Sequence, residues 1–123
     1  MRLLGVFPGV LHYSKIFLRL EPIGLELVAQ AARQAGHEIQ LIDLQVEDQR
    51  AYFRMLESWR PDVVAFSCNY LPHVPEIVDL AKATKIRFPG IFICVGGHSA
   101  SFTAGAIIAH GEATIDCVPV PPV

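Results

Sequence analysis

Apolar residues along this chain follow two patterns, one typical of strands and one typical of helices. The runs at residues 3–7, 63–66 and 91–95 contain no polar side chain. Such runs predict strands that are covered on both faces, which occur mainly in parallel sheets with helices on each side. At 38–43 and 113–118 apolar and polar residues alternate instead. This alternation predicts strands with one face only half covered, as at a sheet edge.

Between these runs apolar residues recur at helical spacing, and suitable start and stop residues flank them. Pro22 suits the first position of a helix, and Gly36 suits the position just after its end. A second helix is expected at about 48–59, capped by Asp48. Two further helices are predicted at about 74–88 and 101–109.

Five strands that alternate with helices predict an α/β fold with a parallel sheet, because crossover connections are right-handed. The two alternating strands belong at the edges, which gives the order 2-1-3-4-5. This is a flavodoxin-like (Rossmann-like) three-layer sandwich, in which ligands bind at the crevice between strands one and three. Residues 1–118 are expected to form one domain. Residues 119–123 are rich in proline and are expected to form neither strand nor helix.

Composition and charge exclude several classes of protein. The 123 residues are 52% hydrophobic, which excludes a disordered chain. A net charge of -2 gives no basic surface for nucleic acid. No apolar run approaches the ~20 residues of a membrane span, and the first eleven residues lack the small-residue cleavage site of a signal peptide. Cys68, Cys94 and Cys117 form no CxxC motif, so we expect unbonded thiols in a cytoplasmic protein.

Small polar and glycine residues follow the predicted strands, where ligand loops are expected. Ser67 and Asn69 follow strand three, and Gly96, Gly97 and Ser99 follow strand four. The glycines let the backbone approach a bulky group closely and adopt positive φ. The serine and asparagine side chains offer hydrogen bonds without charge. A large, mostly neutral ligand suits such a site better than a phosphate or a metal ion.

Proteins of this fold that bind other ligands carry sequence motifs that are missing here. The chain has no GxGxxG after strand one and no Walker lysine. Pro8 and Gly9 follow strand one, where a flavodoxin has a Ser/Thr-rich phosphate loop. Phe7 and Ser67 stand where a receiver domain has acidic residues. Asp43 ends strand two, and alone it is interpreted as a cap of the following turn.

Several short motifs, taken in order, resemble the cobalamin-binding domain found at the N-terminus of many radical S-adenosylmethionine enzymes. Together they cover nearly the whole chain up to about residue 118. The motifs are Glu21-Pro22-Ile23-Gly24-Leu25, Gly36-His37-Glu38, Leu41-Ile42-Asp43, Pro61-Asp62-Val63-Val64 leading to Ser67, and Val95-Gly96-Gly97-His98-Ser99-Ala100.

This resemblance implies that the chain binds cobalamin, with the serine and double-glycine loops around its nucleotide tail and corrin edge. Asn69 occupies the third position of the family's Ser-x-Leu or Ser-x-Thr motif. The predicted cofactor-binding residues are Ser67, Asn69, Leu71, Gly96, Gly97, His98, Ser99, Pro8 and Gly9.

The chain departs from the Asp-x-His-x-x-Gly motif that supplies a lower axial histidine to cobalt in part of this family. His12 lies in the corresponding loop, but Val10 and Lys15 replace the aspartate and the glycine. A metal-bound histidine usually needs a hydrogen-bond acceptor behind it, and none is evident. His12 is therefore a weak candidate ligand, and cobalamin is expected to bind without it. His73 and His98 are expected near the crevice, and His37 and His110 at the opposite end.

The chain also lacks the three closely spaced cysteines that hold an iron–sulfur cluster in radical S-adenosylmethionine enzymes. It is therefore predicted to be no complete enzyme alone but the N-terminal part of a radical S-adenosylmethionine methyltransferase or cyclase. A C-terminal domain of the longer chain would bind S-adenosylmethionine and the [4Fe-4S] cluster. The alternative is a cofactor-free, flavodoxin-like interaction domain that docks on a catalytic domain. A small enzyme using Cys68 or a histidine is a third hypothesis, but no set of nucleophile, base and orienting group supports it.

Overall fold

Four strands and four helices alternate in the computed structural model, which describes residues 1–9, 23–68, 73–111 and 114–119. The elements in chain order are β1 (Arg2–Phe7), α1 (Ile23–Gln34), β2 (Glu38–Asp43), α2 (Gln49–Trp59), β3 (Val63–Ser67), α3 (His73–Arg87), β4 (Phe92–Gly96) and α4 (His98–His110). Among these residues no helix is long and apolar enough to cross a membrane.

The four strands form one parallel sheet in the order β2-β1-β3-β4. The flavodoxin-like class and this part of the predicted strand order are confirmed. β2 lies at an edge of the sheet, as its alternating sequence predicted. In the register, Leu3 pairs with Ile39 on one side and with Val63 on the other, and Val63 pairs with Phe92.

Local sequence signals account for two of the helix boundaries. Asp48 caps α2, and its side chain accepts a hydrogen bond from the Ala51 N–H at 2.9 Å. Gly36 follows α1 with φ +90°, and the His37 N–H bonds back to the Ala32 carbonyl at 3.0 Å. This is a Schellman end, which needs the left-handed backbone that glycine adopts without strain.

The predicted fifth strand at 113–118 is reduced to a single parallel bridge between Cys94 and Cys117. On one side, the Asp116 carboxylate accepts the Ile93 N–H at 2.8 Å and takes the place of a backbone carbonyl in the ladder. On the other side, the next ladder donor would be residue 119, which is a proline and has no N–H. The expectation of five full strands was wrong for these two reasons.

α4 begins at His98, three residues before the predicted start of the last helix. Gly97 turns the chain from β4 directly into this helix, with φ 115° and ψ 175°. That backbone conformation is open to glycine and strained for other residues. The predicted loop at 96–99 is therefore divided between the end of β4, the helix cap and the first turn of α4.

The main core lies on one face of the sheet. Alternate strand residues such as Leu4, Val64 and Ile93 are fully buried in one cluster with side chains of α2, α3 and α4, including Leu56, Leu80 and Ile107.

α1 lies on the other face, over β1 and β2. There a Cβ on Gly5 would lie 3.1 Å from the Leu25 side chain and 2.7 Å from that of Leu41. Gly5 thus lets α1 pack close to the sheet.

Candidate functional site

The carboxyl ends of β3 and β4 bring the predicted serine and glycine residues together. Ser67 and Gly96 are register partners, each the last residue of its strand. The Cys68 N–H donates to the Gly96 carbonyl at 2.6 Å, which continues the pairing one residue beyond β3. Ser67 is buried, with 8% of its surface exposed. These residues form one rim at the carboxyl edge, which we call the Ser67–Gly97 rim and define as Ser67, Gly96 and Gly97.

The glycine side of this rim faces open space. A Cβ built on Gly96 would meet no heavy atom of the described residues within 4 Å. Gly97 is exposed and precedes the first N–H groups of α4, which receive no side-chain cap from it. His98 and Ser99 form the first turn of this helix. Because unpaired N–H groups at a helix start carry partial positive charge, this edge favours electron-rich groups of a ligand.

Pro8 and Gly9 occupy a different setting from the rim. Both are buried, and a Cβ on Gly9 would lie 2.1 Å from the Leu44 carbonyl oxygen. Gly9 therefore packs on the backbone that follows β2, where no side chain could fit. Gly9, unlike Gly96, therefore contacts another part of the protein and does not line open space.

Two buried polar side chains lie on the first turn of α3, which starts after the Ser67 loop. His73 is 1% exposed and meets the Phe7 ring edge-on, with ring centroids 5.4 Å apart. Burial lowers its pKa from the usual 6.5 to about 4, so the imidazole is neutral at pH 7. The prediction that His73 lies near the crevice agrees with its contact with Phe7, the last residue of β1.

Glu76 is fully buried, and the sequence analysis missed it. Burial raises its pKa from 4.5 to about 7, and a hydrogen bond from the Gly9 backbone partly opposes this rise. Within the described part of the chain, neither carboxylate oxygen accepts a hydrogen bond of good distance and angle. The bond from the Gly9 N–H is therefore poorly aligned. An acidic residue in the first turn of a helix is usually exposed. The only sequence signal for the burial of Glu76 was its spacing of four residues from Leu80 and eight from Thr84, which places all three on the buried face of α3.

Other predicted residues lie away from the rim or outside the described part of the chain. His37 lies at the opposite edge as predicted, 3.3 Å from the amino group of Met1. Asp43 caps the turn after β2, where it accepts the Gln45 N–H at 2.9 Å. Asn69, Leu71 and His12 lie outside the described residues.

No group of three His, Cys, Asp or Glu side chains is placed to hold a metal ion among residues 1–9, 23–68, 73–111 and 114–119. Two shallow depressions, of about 360 and 400 Å³, lie at the opposite edge of the sheet. Their charged residues already bond within the protein: Arg2 donates to Glu38 at 3.2 Å and to the Trp59 carbonyl at 2.7 Å. The strand topology and the glycine rim therefore favour the carboxyl edge as the site.

A parallel sheet in this order, with a glycine rim at its carboxyl edge, defines the class as a flavodoxin-like ligand-binding domain. Among solved structures, the fold is similar to that of a cobalamin-binding protein from Desulfitobacterium hafniense DCB-2. The TM-score is 0.70 at 15% sequence identity, over 96% of this chain and 51% of the other.

The chain belongs to the B12 binding domain family, whose model matches residues 13–121. It is also 58% identical over 118 residues to a hopanoid C-3 methylase of Methylococcus capsulatus (strain Bath). This match covers 96% of the chain but only 23% of that methylase. The resemblance to a cobalamin-binding domain, and cobalamin as its cofactor, are thereby confirmed.

Proposed function

We propose that this chain is the cobalamin-binding module of a radical S-adenosylmethionine methyltransferase or cyclase, and that the Ser67–Gly97 rim receives the cofactor. The observation that carries the proposal is the pairing of Ser67 with Gly96 at the carboxyl edge, followed by the left-handed backbone of Gly97. Membership in the B12 binding domain family supports the cofactor, and the 58% identical methylase supports the enzyme class.

The rim residues fit a bulky, mostly neutral group. No atom from the described part of the chain lies within 4 Å of a Cβ on Gly96, so a planar ring edge can approach the backbone there. Ser67 offers a neutral hydroxyl beside that space. In this proposal the Ser67 and Ser99 hydroxyls and the first N–H groups of α4 hold the polar part of the nucleotide tail. His98, Asn69 and Leu71 are proposed as further cofactor-binding residues.

The remaining site residues have supporting roles in the proposal. Pro8 and Gly9 shape the crevice from the β1 side, where Gly9 packs on the Leu44 backbone. His12 is not assigned as a cobalt ligand, so in this proposal cobalamin binds without the lower histidine of an Asp-x-His-x-x-Gly motif. Bound cobalamin supplies methyl-transfer or radical chemistry, whereas the chain binds and orients it.

The longer enzyme, its S-adenosylmethionine and its [4Fe-4S] cluster belong to the same proposal, because the chain spans only 23% of its methylase relative. The C-terminal radical S-adenosylmethionine domain of that enzyme would be the partner of this module. A cytoplasmic location is also proposed, since none of the three cysteines forms a disulfide bond.

Reconstitution with hydroxocobalamin tests the rim. The chain is mixed with hydroxocobalamin and desalted, and the retained corrin absorbance is measured. Gly96→Trp should abolish retention, because the indole would fill the open space without needing positive φ. Gly90→Trp is the matched control: its Cβ also meets nothing within 4 Å, but it lies in the turn before β4, at the far edge.

Both variants should keep the circular dichroism spectrum of the parent chain. Equal corrin retention by Gly96→Trp and the parent would place the cofactor away from the rim. A parent chain that retains no corrin would instead favour the cofactor-free interaction domain.

A further inference from the structure

Two half-buried cysteines face each other at the end of the sheet. Cys94 of β4 and Cys117 form the single parallel bridge that remains of the predicted fifth strand. Residues paired across a parallel bridge point to the same face of a sheet, so their side chains lie next to each other. The two thiols share a hydrogen bond. The fold has therefore brought together two sulfur atoms that are far apart in the sequence.

Backbone hydrogen bonds fix this pairing. The Val95 N–H donates to the Cys117 carbonyl at 2.9 Å, and the Cys117 N–H donates to the Ile93 carbonyl at 3.2 Å. Neighbouring strands lie about 4.8 Å apart, which is within the range of about 4.4–6.8 Å found between the Cα atoms of disulfide-bonded cysteines. A disulfide bond would also bring the two Cβ atoms to about 3.8 Å, so Cys117 would move slightly toward β4.

The segment that carries Cys117 can make this small movement. It is held on β4 by a single bridge and not by a regular ladder, because Pro119 has no N–H to extend the pairing. The Asp116 carboxylate supports the segment through the Ile93 N–H and through Lys85. These side-chain contacts follow a small shift more easily than a full ladder would.

The third cysteine is separated from the pair. Cys68 is fully buried in the main core, whereas Cys94 alternates with the core residues Ile93 and Val95 and so points to the opposite face of the sheet. Burial raises the pKa of the Cys68 thiol to about 11. A buried thiol in an apolar environment is inert. Only Cys94 and Cys117 are therefore placed to react with each other.

We propose that Cys94 and Cys117 form a reversible redox-modification site, in which a low-molecular-weight disulfide converts the two neighbouring thiols into an intramolecular disulfide bond. The bond would pin the segment after α4 to β4. In a cytoplasmic protein such a bond is transient and responds to the redox state, because cellular thiols reduce it again. The proposal requires neither cobalamin nor the rest of a longer enzyme.

The reaction with glutathione disulfide proceeds in two exchange steps. Burial, and after it the neighbouring Cys117 thiol, raises the pKa of Cys94, so the first attack comes from Cys117. The Cys117 thiolate bonds to one sulfur of glutathione disulfide, whose S–S bond breaks and releases one glutathione. The Cys94 sulfur then displaces the second glutathione from Cys117. Two protein thiols have lost two electrons and two protons, and the oxidant has become two glutathione thiols.

Oxidation of the whole chain followed by peptide mapping tests the proposal. The chain is incubated with glutathione disulfide, its remaining thiols are alkylated, and the digest is analysed by mass spectrometry. The expected product is a monomer with a bond between Cys94 and Cys117 and with an alkylated Cys68. Dithiothreitol should return all three thiols. Unfolded chain, in which all three cysteines should react, shows that the oxidant is active.

Single substitutions separate the two steps. Cys94→Ser should leave Cys117 as a stable mixed disulfide with glutathione, because no second thiol displaces it. Cys117→Ser should leave Cys94 largely unmodified. Cys68→Ala is the matched control and should form the same bond as the parent chain. Circular dichroism checks that each variant remains folded.

Two further measurements report the effect of the bond on the fold. Oxidation should raise the Tm by about 5 °C, because the bond constrains the unfolded chain. Hydrogen exchange at the Val95 and Cys117 amides should become slower, since both donate bonds between β4 and the segment. The Cys68 amide is the control, because it donates to the Gly96 carbonyl on the other side of β4. Its exchange should not change.

Several outcomes would overturn the proposal. A parent chain that carries glutathione on Cys117 without closing the bond would show that the two sulfur atoms do not meet. A bond to Cys68, or a disulfide-linked dimer, would show that oxidation follows unfolding or collision and not the bridge. A folded chain that does not react, although the unfolded chain does, would show that both thiols are inaccessible. Retention or loss of corrin by the chain bears only on the proposed function.

Discussion

Glu76 is the residue whose chemistry departs most from what its sequence position suggests. Its side chain is fully buried near the carboxyl edge, next to Gly9, and burial raises its pKa to about 7. A carboxyl group whose folded-state pKa lies above its unfolded value of 4.5 binds a proton more tightly when folded. It therefore contributes stability at low pH, which is lost as the pH rises from the unfolded value through the folded one.

We expect Glu76→Gln to remove this pH dependence. Between pH 5 and pH 8 the parent chain should lose stability on the order of 3 kcal/mol through Glu76, and the uncharged glutamine should not. The variant should thus be more stable than the parent at pH 8 and similar at pH 5, as measured by urea unfolding. His73 has the opposite effect on stability. Because burial lowers its pKa from 6.5 to about 4, its neutral imidazole costs stability only as the pH falls below 6.5.

Asp79→Asn on the exposed side of the same helix is the control. It should leave the difference between pH 5 and pH 8 unchanged. An unaltered pH profile in Glu76→Gln would show that the buried carboxyl does not cause the dependence.

Gly9 and Gly24 provide a matched pair for the packing of the β1 loop. Gly9→Ala should lower the free energy of unfolding by roughly 1–3 kcal/mol, because its Cβ would collide with the Leu44 backbone. Gly24→Ala should raise it by up to about 1 kcal/mol, because Gly24 lies in α1 with nothing within 4 Å. Thermal unfolding measures both. A neutral Gly9→Ala would mean that the turn after β2 moves aside without cost.

The segment after α4 shows how a single side chain can interrupt a strand. Asp116 holds this segment on β4 through the Ile93 N–H and on α3 through Lys85, whose Nζ lies 2.7 Å from the carboxylate. Burial alone would raise the pKa of Asp116, but the hydrogen bonds from Lys85 and Ile93 hold it below its usual range. An alternating sequence predicts an edge strand. It does not show that a carboxylate will accept the hydrogen bond of the Ile93 N–H in place of a backbone carbonyl.

Asp116→Ala should cost more stability than Asp116→Asn. The alanine leaves the Ile93 N–H without its acceptor, at a cost of about 1–3 kcal/mol. Asparagine retains an oxygen acceptor and loses only a partly exposed ion pair, worth about 1 kcal/mol or less. Hydrogen exchange at the Ile93 amide should become faster in the alanine variant alone. Equal exchange in the two variants would exclude the proposed role of the side chain.

At the scale of the whole molecule, the two faces of the sheet differ in how completely they are covered. Among the described residues, the main core lies under α2, α3 and α4, whereas the other face is covered in part by α1. Stability of the chain alone therefore depends largely on one core. A ligand that binds only the folded state should clearly raise the stability of such a chain.

Cobalamin should raise the Tm of the isolated chain. At a free concentration 100 times its Kd, binding adds about 2.7 kcal/mol, which corresponds to a rise of roughly 10 °C or more in a domain of this size. Differential scanning calorimetry with and without hydroxocobalamin measures the shift. Gly90→Trp should show the same shift as the parent and Gly96→Trp none. A shift that survives in Gly96→Trp would contradict the proposed rim.

Much of the fold and part of the site followed from residue order alone, because the signals concerned were local. Apolar runs predicted three of the four strands (β1, β3 and β4), Asp48 and Gly36 marked helix boundaries, and the motif order indicated the family. Alternation placed β2 at an edge. The adjacency of Ser67 and Gly96 was also expected, since parallel strands end at a common edge.

Other features depend on contacts between residues far apart in sequence, which no local pattern reports. Burial of Glu76 requires the packing of α3 against the β1 loop, and Gly9 meets Leu44 only in the folded chain. The apolar run 63–66 predicted coverage on both faces, but the tertiary structure decided that Val64 and Phe66 are buried while Val63 and Ala65 are partly exposed. Sequence fixes which residues are apolar through their side-chain chemistry, whereas helix placement determines which of them leave water.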